Sequence, residues 1–118
     1  MSQLRSKIME YIDLNPRQFR VLKSLCVTQG FDSAGVMEQQ VQLVLASDET
    51  YRGQMLYLDF VGVRDLRINQ PEWSLVVIPY LEITESPTSG RFQAPITVLD
   101  PEEGIIVFSC RDFLAALG

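Results

Sequence analysis

The sequence predicts an α+β fold, with an N-terminal helical layer of one or two helices packed on a curled antiparallel sheet of five or six strands. Three observations carry that expectation. The stretch Gln54–Ile68, QMLYLDFVGVRDLRI, alternates like a long strand with one glycine interruption. Asn15-Pro16-Arg17-Gln18 holds helix-start residues and precedes apolar residues at helical spacing. The other apolar segments are joined by short turn-rich connections. Parallel pairing needs crossovers of a dozen or more residues, so consecutive strands must run antiparallel.

At the N-terminus, Leu4, Ile8 and Ile12 recur every four residues beside Tyr11, which predicts a first helix from Ser2 to Ile12 with a narrow apolar stripe. The second predicted helix starts at Asn15. Asn15 suits an N-cap, Pro16 the first helical position and Gln18 a capping box, while Leu14 and Phe19 have staple spacing. Phe19, Val21, Leu22, Leu25 and Cys26 then form one stripe, with Arg17, Arg20 and Lys23 on the opposite side and Gly30 ending the helix after Thr28.

Beyond residue 31 the periodicity changes to two. Met37, Val41, Val44 and Leu45 fit a helix, but Val41, Leu43 and Leu45 alternating with Gln42 fit a strand, and a strand from Glu38 to Ser47 is preferred. The Ser47–Gly53 turn joins it to the organising strand as a hairpin. In that strand Leu56, Leu58 and Phe60 share one face and Met55, Tyr57, Asp59 and Val61 the other, so it is expected centrally with cover on both sides. Gly62 marks a bulge, after which Val63, Leu66 and Ile68 resume the pattern. Further strands are predicted from Trp73 to Ile78, around Leu81 and Ile83, from Phe92 to Val98 with Pro95 at a sheet edge, and from Ile105 to Cys110. Asp100-Pro101-Glu102-Glu103-Gly104 reads as the hairpin turn before the last strand. The tail, Arg111 to Gly118, is expected to form a helical turn through Phe113, Leu114 and Leu117.

At 118 residues, with 47% apolar and 21% charged side chains, the chain reads as a single domain, 1–31 helical and 32–118 antiparallel β. A chain of this size buries roughly two-thirds of the surface its unfolded form exposes. No apolar run approaches the ~20 residues of a membrane span, and the charged N-terminus is no secretory signal, so no membrane contact and a cytoplasmic location are expected. Cys26 and Cys110 form neither a CxxC motif nor a zinc set, and their apolar neighbours suggest buried reduced thiols. The net charge of −5 divides into +3 over residues 1–31 and −8 over the rest. That balance makes a poor nucleic-acid binder.

Motifs for catalysis are missing. There is no histidine, which removes the commonest general base and metal ligand. No P-loop, GxGxxG, GxSxG, HExxH or EF-hand pattern occurs, and no cofactor is expected. The carboxylates to consider are Asp59, Asp65 and Glu82; Asp59, mid-strand among apolar residues, reads as an ion pair or solvent-facing position before a catalytic group. Arg64, Asp65 and Arg67 flank the Gly62 bend and read as a rim salt-bridge cluster or a partner-binding patch. Arg111-Asp112 has the same standing. Trp73, beside Pro71 on a turn, is the first aromatic candidate for a contact, against the plainer reading that it packs on its own core. Arg17, Arg20 and Lys23 form a basic ridge that is either a solvated helix face or a dock for an acidic partner.

The pairing of L-x-L-x-F-x-GV-x-DL-x-I, here Leu56 to Ile68, with F-x-CRDF, here Phe108 to Phe113, resembles a group of small bacterial proteins, many of them cyanobacterial, for which the resemblance implies no activity. More loosely, the strand-rich part is similar to immunity proteins that neutralise bacterial toxins by direct binding. The leading expectation is a non-enzymatic module that binds a protein partner or itself, as a homodimer. A second is a small-molecule binder or weak enzyme whose curled sheet encloses a pocket, with Asp59, Arg64, Arg67 or Arg111 as its polar groups. The third, toxin neutralisation, predicts an acidic face.

Overall fold

In a computed structural model, residues 3–48, 50–69, 77–85, 96–102 and 104–118 are described. They build one short helix, one 3₁₀ turn and seven strands: α1 (Gln3–Asp13), the turn Pro16–Gln18, β1 (Val21–Phe31), β2 (Met37–Ala46), β3 (Met55–Ile68), β4 (Glu82–Glu85), β5 (Ile96–Leu99), β6 (Ile106–Cys110) and β7 (Asp112–Leu117). The architecture is α+β in outline but mostly antiparallel sheet, with more strands and less helix than expected. Strands are ordered β1-β2-β3-β6-β5-β4, and β7 also pairs with β3. Among the described residues no helix is long and apolar enough to cross a membrane.

β3 is the hub. Its first half pairs with β2 on one side (Val41 opposite Phe60, Leu43 opposite Leu58) and with β7 on the other (Phe60 opposite Phe113). Its second half pairs with β6, Arg64 facing Ser109 and Ile68 facing Ile106. Leu56, Leu58 and Phe60 are buried as the alternation predicts. Cover on the opposite face is partial: Met55 is buried there with Ala46 and Val21 beside it, whereas Tyr57 is 44% exposed. β3 is central chiefly through its two paired edges.

The predicted helix from Asn15 to Thr28 is replaced by a 3₁₀ turn and an eleven-residue strand. Asn15 takes a left-handed conformation (φ 57°) and its side chain caps nothing, so the N-cap residues serve a single turn. The apparent helical stripe has a different origin. Leu22 faces Leu45 and Ser24 faces Val44, which leaves Lys23 as an extra residue. Facing residues of an antiparallel pair lie on one side of the sheet. Leu22 and Leu25 therefore both join the face of Leu45 and Leu43, although they are three apart in sequence. A bulge has produced the i, i+3 spacing of a helix. Arg17, Arg20 and Lys23 consequently share no helical face, and Cys26, expected buried, is exposed while Cys110 is buried.

The tail is the second correction. Instead of a helical turn it forms β7, which fills the edge of β3 left open where β6 ends. Phe113 is buried and Ala115 and Leu117 pack against the core, while Leu114 points outward. Pairing along β3 overrides the local helical preference of Leu-Ala-Ala-Leu. The expected strand over Trp73–Val76, with Trp73 itself, and the Pro95 edge lie outside the described residues. Val77 forms a bridge with Val21, so β1 is touched at its start by a distant segment.

The core centres on Tyr11, Phe60, Phe108 and Phe113. Phe60 meets Phe108 edge-on at 4.9 Å between centroids, and Phe113 stacks on Phe60 at 6.0 Å. Tyr11 of α1 meets Phe113 edge-on at 6.4 Å and donates its buried hydroxyl to the Leu81 carbonyl. Burial pushes the Tyr11 hydroxyl pKa well up, with Tyr80 adding to it. The Lys7 ammonium reaches the Asp112 carboxylate at 2.7 Å, so α1 is held to β7 by charge as well as by packing. The Asp100–Gly104 turn forms as expected. Asp100 is buried and accepts the backbone N–H of Glu102 at 3.1 Å, and Gly104 takes φ 63°.

Candidate functional site

The end of the sheet where β1 turns into β2 carries a turn braced by its own hydrogen bonds. Asp32 Oδ1 accepts the backbone N–H groups of Ala34 (2.8 Å) and Val36 (2.9 Å), and the Asp32 N–H donates to Val36 O at 2.9 Å. Gly35 supplies the left-handed residue the turn needs, at φ 80°. An Asx turn of this kind fixes the backbone without help from the core. On it stand Phe31, Val36 and Met37, which are 70%, 57% and 60% exposed. Single exposed apolar residues are ordinary, whereas three together on a braced turn are not.

Beside the turn lies the Gly62 irregularity of β3. Gln40 pairs with Val61 and Gln39 with Val63, so Gly62 is extra relative to β2. On its other side it meets Arg111, which separates β6 from β7 and donates its backbone N–H to Val61 O at 3.0 Å. Gly62 has φ 64°, and a Cβ there would stand 2.7 Å from Arg111 Cβ. Both conformation and space exclude a side chain. The Arg111 guanidinium then reaches across Gly62 to β2, where Nη2 donates to both Glu38 carboxylate oxygens at 3.0 Å. β2, β3 and the β6–β7 junction are thus held together at one point.

Between these features opens a cleft of about 420 Å³, lined among others by Asp32, Val36, Met37, Glu38, Arg64 and Arg111. A second irregularity follows at once, because register slips between Arg64 and Arg67 and Asp65 takes φ 57°. Arg64, Asp65 and Arg67 are therefore brought out to solvent together next to the cleft. Asp32, Glu38 and Asp65 against Arg64, Arg67 and Arg111 make this end mixed in charge, not the acidic face that toxin binding was expected to show.

The basic residues nearer the N-terminus are elsewhere. Arg17 lies over the Tyr80 ring at 4.4 Å and Lys23 lies 6.0 Å from the Tyr51 ring. Arg20 offers its carbonyl to the Ile78 N–H. All three sit towards the start of β1, the length of that strand away from Phe31. Trp73 lies outside the described residues.

A second cavity, of about 260 Å³, is lined by Leu22, Leu25, Leu43, Ile78, Ile105 and Ile106 with Ile68. Of the polar residues named for a pocket none lines it, and Arg64 and Arg111 line the cleft at the end of the sheet. Asp59 instead points to the open face of the first half-sheet, where one carboxylate oxygen is buried without a hydrogen-bond partner. Among the described residues no group of three or more His, Cys, Asp or Glu stands where it could hold a metal.

Sequence reasoning found Arg64, Asp65, Arg67 and Arg111 but missed Phe31, Val36, Met37 and Glu38. The available signal was three large apolar residues placed immediately around the turn residues Asp32-Ser33-Ala34-Gly35.

The family model of immunity protein PIM8 matches residues 3–116 of the chain. Neither the curated proteins nor the solved structures give a match.

Proposed function

The chain belongs to the PIM8 immunity protein family, and on that premise we propose that it neutralises a toxin protein by binding it directly at the Gly62 end of the sheet. One observation carries the location: Phe31, Val36 and Met37 stand in solvent on a turn whose backbone is fixed in advance. Apolar anchors contribute most to binding when they are surrounded by a polar rim and lose little freedom on docking. Here the rim is supplied by Arg64, Asp65, Arg67 and the Glu38–Arg111 pair. The action is that of a non-enzymatic binding module in the cytoplasm, and its partner is a protein. Mixed charge at the rim favours orientation of that partner over bulk attraction, so added salt should slow association only modestly.

The test is to co-purify the chain's partner from the source cell, with wild type and a Phe31→Ser/Met37→Ser variant as baits. The wild type should retain a protein that arrests growth when expressed alone and does not when the chain is co-expressed. The double variant should keep its circular dichroism spectrum yet lose roughly tenfold or more in affinity, as removal of interface anchors does. Retention of only harmless proteins, or full protection by the folded double variant, would sink the reading.

A further inference from the structure

The outer face of the first half-sheet holds a carboxylate that the chain itself leaves unsatisfied. Facing residues of an antiparallel pair lie on one side of the sheet, so Asp59 shares this face with Gln42 of β2 and Leu114 of β7. Tyr57 and Val61 flank it along β3. The side chains show that the face is open around Asp59: Leu114 is 65% and Tyr57 44% exposed, and Gln42 is exposed beside them. Asp59 is the exception. Its Oδ1 is shut off from solvent and has no hydrogen-bond partner, although Gln42 stands opposite. Buried polar atoms are nearly always paired, because an unpaired one has given up water for nothing in return.

The two other carboxylates along this face are satisfied. Asp112, opposite Val61, holds the Lys7 ammonium at 2.7 Å, and Glu38 holds the Arg111 guanidinium at 3.0 Å. Those two cations are therefore engaged, and a second copy of the face would set a carboxylate against Asp59. The missing charge has to come from a different protein. The face also runs into the binding end described above. β1 and β2 pair without a slip from Glu38 to Gln42, so Glu38 and Gln42 stand on the same side. Gly62 is three residues from Asp59, roughly 10 Å along the strand. An interface of standard size covers about 800 Å² on each partner, so a protein seated at the Gly62 end reaches Asp59.

Resting on the reading of that end as the binding surface, we propose that the same protein partner continues onto the outer face and places a lysine or arginine side chain on Asp59, between Tyr57 and Leu114. The apolar neighbours keep water from the pair, and a charge-assisted bond of this kind is stronger than one at an exposed rim. A competitor lacking the cation would cover Asp59 and leave its carboxylate buried and unpaired. Asp59 thereby selects among partners that fit the apolar tip equally well.

The probe is the protein retained by the wild-type chain in the co-purification above, and the variant is Asp59→Asn, which keeps the shape and removes the charge. Affinity should fall tenfold or more, with circular dichroism unchanged and a urea midpoint no lower than that of wild type, because the folded chain gives this charge no partner. Leu114→Ser should weaken the same complex about threefold. A lower urea midpoint in Asp59→Asn would assign the carboxylate a structural role and overturn the proposal. Full binding by Asp59→Asn beside loss by Phe31→Ser/Met37→Ser would overturn it too, while leaving the Gly62 end in place. Full binding by the Phe31→Ser/Met37→Ser variant would remove the premise itself. A dimer in sedimentation that Leu114→Ser dissociates would give the face to a second copy and overturn the proposal.

Discussion

Lys23 in β1 and Gly62 in β3 are each an extra residue against β2, and these two bulges answer to different numbers of neighbours. Among the described residues Lys23 interrupts a strand laddered only to β2, so only one register has to be restored beyond it. Gly62 interrupts a strand paired on both edges. Its counterpart across the sheet is Arg111, and the buried sequence steps from Phe60 to Val63 on one strand and from Phe113 to Cys110 on the other. Both strands skip together, which keeps Val61 opposite Asp112 and Arg64 opposite Ser109. A bulge at an edge is a local matter, whereas a bulge at the hub has to be matched by its neighbour. The hub bulge is also where the cleft opens, so the matched irregularity shapes the proposed binding end.

The largest effect is expected from Gly62→Ala. An L-residue at φ 64° costs about 1–2 kcal/mol, and moving Arg111 away from a Cβ at 2.7 Å costs about 1–3 kcal/mol more. Gly104→Ala is the control, since Gly104 has nearly the same φ, 63°, and nothing within 4 Å of the added carbon. Urea melts should show Gly104→Ala losing only the conformational part. Equal losses at the two positions would mean that the Arg111 contact does not matter.

The two cysteines extend the comparison, one beside each bulge. Cys110 packs opposite Val63, and burial, with Asp112 nearby, pushes its thiol from 9.0 up to about 12. The folded state therefore favours the protonated thiol. Its contribution is complete below pH 9 and falls as pH rises towards 12, by about 1.4 kcal/mol per pH unit, because only the unfolded chain ionises there. Tyr11 is raised in the same sense and adds to the loss above pH 10. Comparing wild type with Cys110→Ala between pH 9 and 10 isolates the thiol, and equal slopes would refute it. A thiol reagent at neutral pH should label exposed Cys26 at once and Cys110 only as the chain unfolds.

Arg111→Ala should cost about 1 kcal/mol, since the pair it makes with Glu38 is half in water and screened. The side-chain exposures are 44% for Arg111 and 13% for Glu38, so the residue left behind is the more buried one. A Glu38→Gln/Arg111→Ala double variant should therefore lose less than the sum of the single variants. Additive losses would show that the two groups do not hold the bulge as a pair.

The same difference explains what could be read from the residues. Gly62 announced its bulge because a left-handed backbone in a strand calls for glycine, and the whole of β3, with its hairpin to β2, was legible from alternation. Lys23 announced nothing. Without a glycine, Leu22 and Leu25 looked like one helical stripe, and Asn15-Pro16 supplied a start signal for a helix that stops after one turn. β7 was hidden because its sheet partner is more than fifty residues away and its local composition favours helix. At the proposed binding end, charges around the Gly62 bend were visible as candidates. The apolar tip was not, because Phe31 and Met37 become exposed only once β1 is known to be a strand.

The smallest effect, and the sharpest contrast, is expected from deleting Lys23. Removal brings Leu22 next to Ser24, which leaves Leu22 opposite Leu45 and Ser24 opposite Val44 with no gap in the ladder. The chain should keep its stability within about 0.5 kcal/mol, as surface changes that strain nothing usually do. Deleting Gly62 should instead leave Arg111 without its counterpart and shift β3 by one residue against β6, turning buried side chains outward. A Lys23 deletion that unfolds like the Gly62 one would show that the edge bulge is as constrained as the hub.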